Sequence, residues 1–203
     1  MNTAESRLVS DVDEMPRGHH TCPYWVGYLL ASPLRKLGED PDAILAPWVA
    51  PGMTALDVGC AMGFYSLPLA RMVGDEGRVI CADIQARMLA KLEKRARRRK
   101  LDRIIETRQC SQEDLGLDDL EGSVDLALAV NVVHETAYPR RFLTRLRALL
   151  RPDGKLLLTE PRGHVSEGAF EETRQLALAL GFSEVERRRL RRSRLLVLQS
   201  SVA

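Results

Sequence analysis

The sequence predicts an α/β fold in which a doubly wound, mostly parallel sheet carries helices on both faces, and three observations support it. Short apolar runs of β character, at 54–58, 78–83, 103–108, 124–130 and 155–160, alternate with segments of helical periodicity. The first run passes through Asp57 into a turn bearing Gly59 and Gly63, where the backbone must bend tightly and a ligand can approach without meeting a Cβ. The second run ends on Asp83, 20 positions beyond Gly63, where open sheets of this kind set an acid against ribose hydroxyls.

Composition bounds the rest. A chain of 203 residues with 45% hydrophobic side chains fits one domain with a full core. Thirty basic against 28 acidic residues leave a net charge of +2, so bulk electrostatics demand neither a nucleic acid nor a membrane. Cys22, Cys60, Cys81 and Cys110 show no zinc-ligand spacing and read as reduced thiols of a cytoplasmic protein. His19, His20 and Cys22 complete no metal site. No signal-peptide pattern opens the sequence, and no apolar run approaches the roughly 20 residues that span a bilayer.

Taken in order, residues 1–20 are polar and aperiodic and read as a flexible tail. Residues 23–37, with Tyr24, Trp25, Tyr28, Leu29, Leu34 and Leu37, form an amphipathic pattern broken before Pro33. With a short helix at 42–49 they make residues 21–50 a helical cap on a domain spanning 51–203. A helix at 64–73 stops at the turn 74–77, and a helix at 85–100 ends in KLEKRARRRK, whose cations complement the helix dipole on a solvated face. A helix at 139–150 leads into the turn RPDG, and a last helix, 167–180, is closed by Gly181. Two final strands, 182–189 and 194–199, flank RRRLRRSR and bring the strand count to seven.

The glycine spacing separates two cofactor readings. A dinucleotide fingerprint counted from Gly59 requires glycines where Ala61 and Phe64 stand. Asp57, Gly59 and Gly63, by contrast, resemble the first motif of the class I S-adenosylmethionine-dependent methyltransferases, and the resemblance extends over about residues 51–199. It implies a Rossmann-like methyltransferase fold with an antiparallel last strand and S-adenosylmethionine as cofactor. The contact set implied is Asp57, Gly59, Ala61, Gly63, Asp83, Ile84, Cys110, Ser111 and Asn131. Ala61 replaces the family's middle glycine; its methyl costs little at negative φ and strains the loop at positive φ. Cys110 and Ser111 stand where the family usually has an acid that accepts from the adenine amino group, a role Ser111 can fill as an acceptor.

In NVVHE, residues 131–135, the resemblance sets His134 and Glu135 beside the methyl group as catalytic candidates. A histidine there can take a proton from a hydroxyl, or it can simply pack and orient the loop. Glu160, Arg162 and His164, after the fifth strand, are candidate substrate contacts together with Tyr24 and Trp25. No spacing among these residues enforces a metal site. The Asp/Asn-Pro-Pro-aromatic motif of amino-directed nucleic-acid methylases is absent at 131–134, and there is no Pro-Cys nucleophile. The first expectation is methyl transfer to oxygen, carbon or another soft centre of a small, anionic metabolite. The alternatives are an RNA or protein methyltransferase using the arginine-rich segments, and a protein that binds the cofactor without turnover. Oligomeric state is not legible.

Overall fold

Seven strands and five α-helices are laid down between residues 39 and 200, the stretch that the computed structural model describes. The expected tail, most of the cap, and with it Tyr24 and Trp25, lie outside the described residues. The cap's second helix is α1, Pro41–Leu45, with Asp40 accepting the backbone N–H of Asp42 as its N-cap. The chain continues through β1 (Thr54–Val58), α2 (Ser66–Val73), β2 (Arg78–Asp83), α3 (Ala86–Arg98), β3 (Ile105–Gln109), β4 (Val124–Val130) and α4 (Pro139–Leu149). It ends with β5 (Leu150–Pro161), α5 (Glu167–Ala179), β6 (Phe182–Arg189) and β7 (Ser193–Ser200).

The strands form one sheet in the order β3-β2-β1-β4-β5-β7-β6. All neighbours from β3 to β5 pair in parallel, and β7 runs antiparallel to both β5 and β6. The seven-stranded, mostly parallel sheet with an antiparallel last strand is therefore the one the sequence predicts. Alternate residues of the five inner strands feed opposite layers, as a pleated strand buried on both faces requires. Leu56, Ile80, Ala127, Leu156 and Leu196 face α4 and α5, with Leu143, Leu146 and Phe170. Ala55, Val79, Leu126, Leu157 and Val197 face α1, α2 and α3, with Leu45, Leu69 and Leu92.

Several elements depart from the expected boundaries, among them the first helix, which ends at Leu45 rather than 49, and the third strand, which starts at Ile105 rather than 103. The helix read at 64–73 starts at Ser66, because Gly63 at φ +79 holds the preceding residues in turns. RPDG lies inside the span of β5 as an excursion: Val124 pairs with Leu150 and Leu126 with Lys155, so residues 151–154 loop out, with Asp153 at φ 64. A second irregularity sits between Glu184 and Glu186 of the edge strand β6.

Because β1 pairs with β2 on one side and β4 on the other, the chain reverses direction across the sheet at β1. The crevice outside the carboxyl ends of those strands is where such sheets bind ligands.

Candidate cofactor and acceptor site

That crevice is a cavity of about 310 Å³, lined from the ends of β1 to β5. Gly59 turns the chain out of β1 at φ +70, and a Cβ on it would fall 2.4 Å from Val132 Cγ2. The absent side chain thus lets the loop after β1 close against the segment after β4. Gly63 serves packing: its Cβ would meet Leu92 Cδ1 at 2.3 Å, and it does not line the cavity, contrary to the contact expected of it. Ala61 lines the cavity at φ 46, so the family's missing glycine leaves a methyl in left-handed backbone.

Asp83 holds that loop in place. Its Oδ2 accepts the Ala61 N–H at 2.9 Å and its Oδ1 the Gln85 N–H at 2.8 Å, so it also anchors the entry to α3. Burial raises its pKa, and these two bonds pull it back. Each oxygen keeps a further lone pair for a hydroxyl donor from the cavity it lines. Asp57, 2% exposed, accepts from Ser66 Oγ at 2.5 Å. Burial pushes its carboxyl up to about 7, with Ser66 opposing and the charge of Asp83 adding.

Ile84, Met88, Cys110 and Leu115 give one end of the cavity an apolar wall. Burial, with the nearby charge of Asp83, pushes the Cys110 thiol up to about 11, so it stays neutral. Ser111 also lines the cavity, but its Oγ accepts the backbone N–H groups of Glu113 at 3.2 Å and Asp114 at 3.0 Å. The hydroxyl expected to meet a base is therefore engaged in folding its own turn.

At the other end, Asn131 turns at φ 57, its N–H donating to Thr159 O at 2.9 Å, and delivers Val132, His134 and Glu135 to the wall. Glu160, expected as a substrate contact, is instead buried behind His134 and does not line the cavity. Its Oε1 accepts the His134 backbone N–H at 3.2 Å, and its Oε2 hydrogen-bonds His134 Nδ1. Burial works against a charged ring at His134, but the hydrogen bond and charge of Glu160, with the charge of Glu135, outweigh it and raise the pKa above its ordinary value.

Arg162 is likewise turned from its expected role. Its Nη1 donates to Arg191 O at 3.1 Å and its N–H to Arg192 O at 2.9 Å, bracing the β6–β7 turn beside Pro161. His164, the third residue expected to meet substrate, is exposed and lines the cavity. The sequence reading missed Met62, Phe64, Tyr65, Val132 and Phe142, all on the wall. Phe64 and Tyr65 carried a signal, two aromatics directly after the glycine turn. Tyr65 also donates its hydroxyl proton to the buried Glu39. Among the described residues no group of three or more His, Cys, Asp and Glu is placed to hold a metal ion, and no helix is long and apolar enough to cross a membrane.

A seven-stranded sheet of this order, with a glycine loop after β1 and an acid ending β2, defines a nucleoside-cofactor protein of methyltransferase type. A family model described as a methyltransferase domain matches residues 56–158, and the chain belongs to the class I S-adenosylmethionine-dependent methyltransferases. It is 33% identical over 139 residues to a ubiquinone biosynthesis O-methyltransferase of Cereibacter sphaeroides, covering 68% of this chain and 52% of that protein. It is 36% identical over 111 residues to an uncharacterized 37.1 kDa protein in a transposon of Streptomyces fradiae, covering 55% of this chain and 31% of that protein. The chain thus spans about half the length of one curated relative and a third of the other. In fold it is similar to a SAM-dependent methyltransferase from Aquifex aeolicus, with a TM-score of 0.79 at 22% identity, covering 89% of this chain and all of the other.

The family's cofactor is S-adenosylmethionine, and the residues present fit it. Asp83 offers lone pairs at the end of β2, Ile84 and Met88 give an apolar wall beside it, and the bare Cα of Gly59 lets the loop after β1 close against Val132 along the cavity wall.

Proposed function

We propose that this chain binds S-adenosylmethionine along the cavity and transfers its methyl group to a small, anionic metabolite that lies against His134 and Glu135. The observation that carries the reading is one continuous cavity, of about 310 Å³, reaching from Asp83 and Ile84 to His134 and His164. That volume is of the order that holds a small molecule. When bound, the cofactor supplies a methyl group made electrophilic by its sulfonium.

The chain's own residues do the rest. Asp83 accepts from the ribose hydroxyls, and Ile84, Met88, Cys110 and Leu115 enclose the base. Asp57 presents a carboxylate to a cationic ligand, whose charge favours its ionised form. Asn131 and Val132 set the wall at the transfer point, and Phe64, Tyr65 and Phe142 exclude water from it.

The anionic character rests on the β6–β7 turn. Arg187 and Arg194 are neutralised by Glu171 and Glu167 of α5, and Arg188 by Glu186. Arg189 and Arg192 are exposed and make no ion pair among the described residues, and Arg162 fastens the turn next to the cavity wall at Pro161. The basic end of α3 lies at the opposite end of the sheet, since that helix starts at the carboxyl end of β2 and runs back. A continuous track for RNA is therefore disfavoured.

The testing experiment is calorimetric titration with S-adenosylmethionine and S-adenosylhomocysteine, with Asp83→Ala as control. Binding that is lost in the control supports the reading; no binding of either ligand overturns it. Arg189→Glu with Arg192→Glu is then expected to weaken acceptor binding while leaving the cofactor titration unchanged.

A further inference from the structure

Glu160 bears on the acceptor atom. It sits near the end of β5 with 1% of its surface exposed, and a buried carboxylate is costly unless its charge is answered. Both oxygens are committed to one residue, to the backbone N–H and to the ring Nδ1 of His134. With Nδ1 engaged as donor, the neutral ring carries its bare lone pair on Nε2. The ring is part of the cavity wall, with 23% of its side chain exposed. Such an arrangement holds one tautomer and one orientation, and stabilises the imidazolium once a proton arrives.

We propose that Glu160 is a positioning residue that makes His134 a proton acceptor, and that the methyl acceptor is accordingly a weakly acidic hydroxyl, a phenol or an enol. Carboxylates, tertiary amines and thioethers present a free lone pair and have no proton for such a pair to receive. The assignment rests on the methyl-transfer reading of the site. In the step the substrate O–H bond breaks and its electron pair stays on oxygen, the nucleophile. The Nε2 lone pair forms the new N–H bond, Glu160 balances the positive ring, and the proton passes to solvent after the product leaves. The other ionisable groups beside the ring are Glu135, whose Oε1 lies 3.9 Å from Nε2, and His164, on the loop after β5 and lining the same cavity.

The test uses the full chain without cofactor and 4-nitrocatechol, a phenol whose ionised form absorbs visible light. Glu160→Gln keeps the shape and an acceptor for the backbone N–H but removes the charge. His134→Gln removes the base. Bound to the wild type, the probe is expected to show a ratio of ionised to neutral form about tenfold above that in free solution at the same pH. Bound to either variant it should show the free-solution ratio. By NMR, the His134 ring of Glu160→Gln should lose its proton at lower pH than in the wild type.

A wild-type ratio equal to that in free solution, or one that survives in His134→Gln, overturns the hydroxyl assignment. A Glu160→Gln protein that ionises the probe as the wild type does overturns the positioning role. If Glu160→Gln does not fold, His134→Gln alone decides the assignment. Failure of the wild type to bind S-adenosylmethionine in calorimetry would strike the methyl-transfer reading instead, so the two failures are told apart.

Discussion

Asp83 Oδ2 accepts the backbone N–H of Ala61 at 2.9 Å, so the acid that ends β2 fastens the loop that follows β1 at the residue where that loop turns left-handed. One carboxylate thereby shapes the loop and faces the cavity. Its loss should be felt in both.

Asp83→Asn is expected to lower cofactor affinity by more than about tenfold, since an amide cannot accept from both Ala61 and Gln85 and still face a hydroxyl. Calorimetry reads this directly. Unchanged affinity would remove the ribose role and leave Asp83 a structural anchor.

Ala61 at φ 46 bears the cost of a Cβ in left-handed backbone, about 1–2 kcal/mol. Glycine relieves it but adds freedom to the unfolded chain, so Ala61→Gly should be neutral or stabilising by up to about 1 kcal/mol in urea titration. Ala61→Val, with a branched Cβ at the same φ, should cost about 1–3 kcal/mol. A clear loss in Ala61→Gly would mean that the methyl's packing outweighs its strain.

Asp57 gives the fold a pH dependence of definite sign. Its carboxyl is raised to about 7 in the folded chain, while an unfolded aspartate titrates near 4. Between those values the folded state holds the extra proton, so this group makes stability fall as pH rises from about 4 to about 7. Asp57→Asn should flatten that slope, and melting temperatures measured at pH 5 and pH 8 should converge relative to the wild type. An unaltered slope would place the titration elsewhere.

Gly59→Ala would drive a Cβ to 2.4 Å from Val132 Cγ2 at a φ of +70. The expected loss is about 1–3 kcal/mol together with weaker cofactor binding. Trimming the obstacle in Gly59→Ala with Val132→Ala should restore part of the stability, a coupling that a double-mutant cycle reads. Purely additive losses would show that backbone strain alone accounts for the effect.

The sheet was legible because its central strands are short apolar runs with sharp ends, and its edge strand Phe182–Arg189, though mostly charged, is bounded by Gly181 and the arginine-rich turn. Thr54–Val58, Arg78–Asp83, Val124–Val130 and Phe182–Arg189 have the boundaries read from the sequence. β3 begins at Ile105 rather than 103 because Ile104, though buried, belongs to the turn that closes on Leu101. At the site, the motif order and the family resemblance brought out Asp57, Gly59, Asp83 and His134, and all four line the cavity. The roles of Glu160 and Ser111 were not legible, because they depend on partners that sequence does not mark. Glu160 meets a histidine 26 residues earlier, across two strands, and Ser111 turns back on backbone three residues ahead. A carboxylate at a strand end looks the same in sequence whether it faces a ligand or lies beneath one.

The irregular edge strand β6 also bears on how readily one copy of the chain can add to another. An outermost strand offers a row of unpaired amides and carbonyls on which another chain can extend a sheet. Here the register shift between Glu184 and Glu186 breaks that row, and Glu184, Glu186, Arg187, Arg188 and Arg189 surround it with charge of both signs. Val185, at 43% exposure, is the single large apolar side chain left in the open among the described residues, and it sits at that break. The feature therefore acts as a guard against edge-to-edge aggregation, keeping one hydrophobic residue from seeding a continuous ladder.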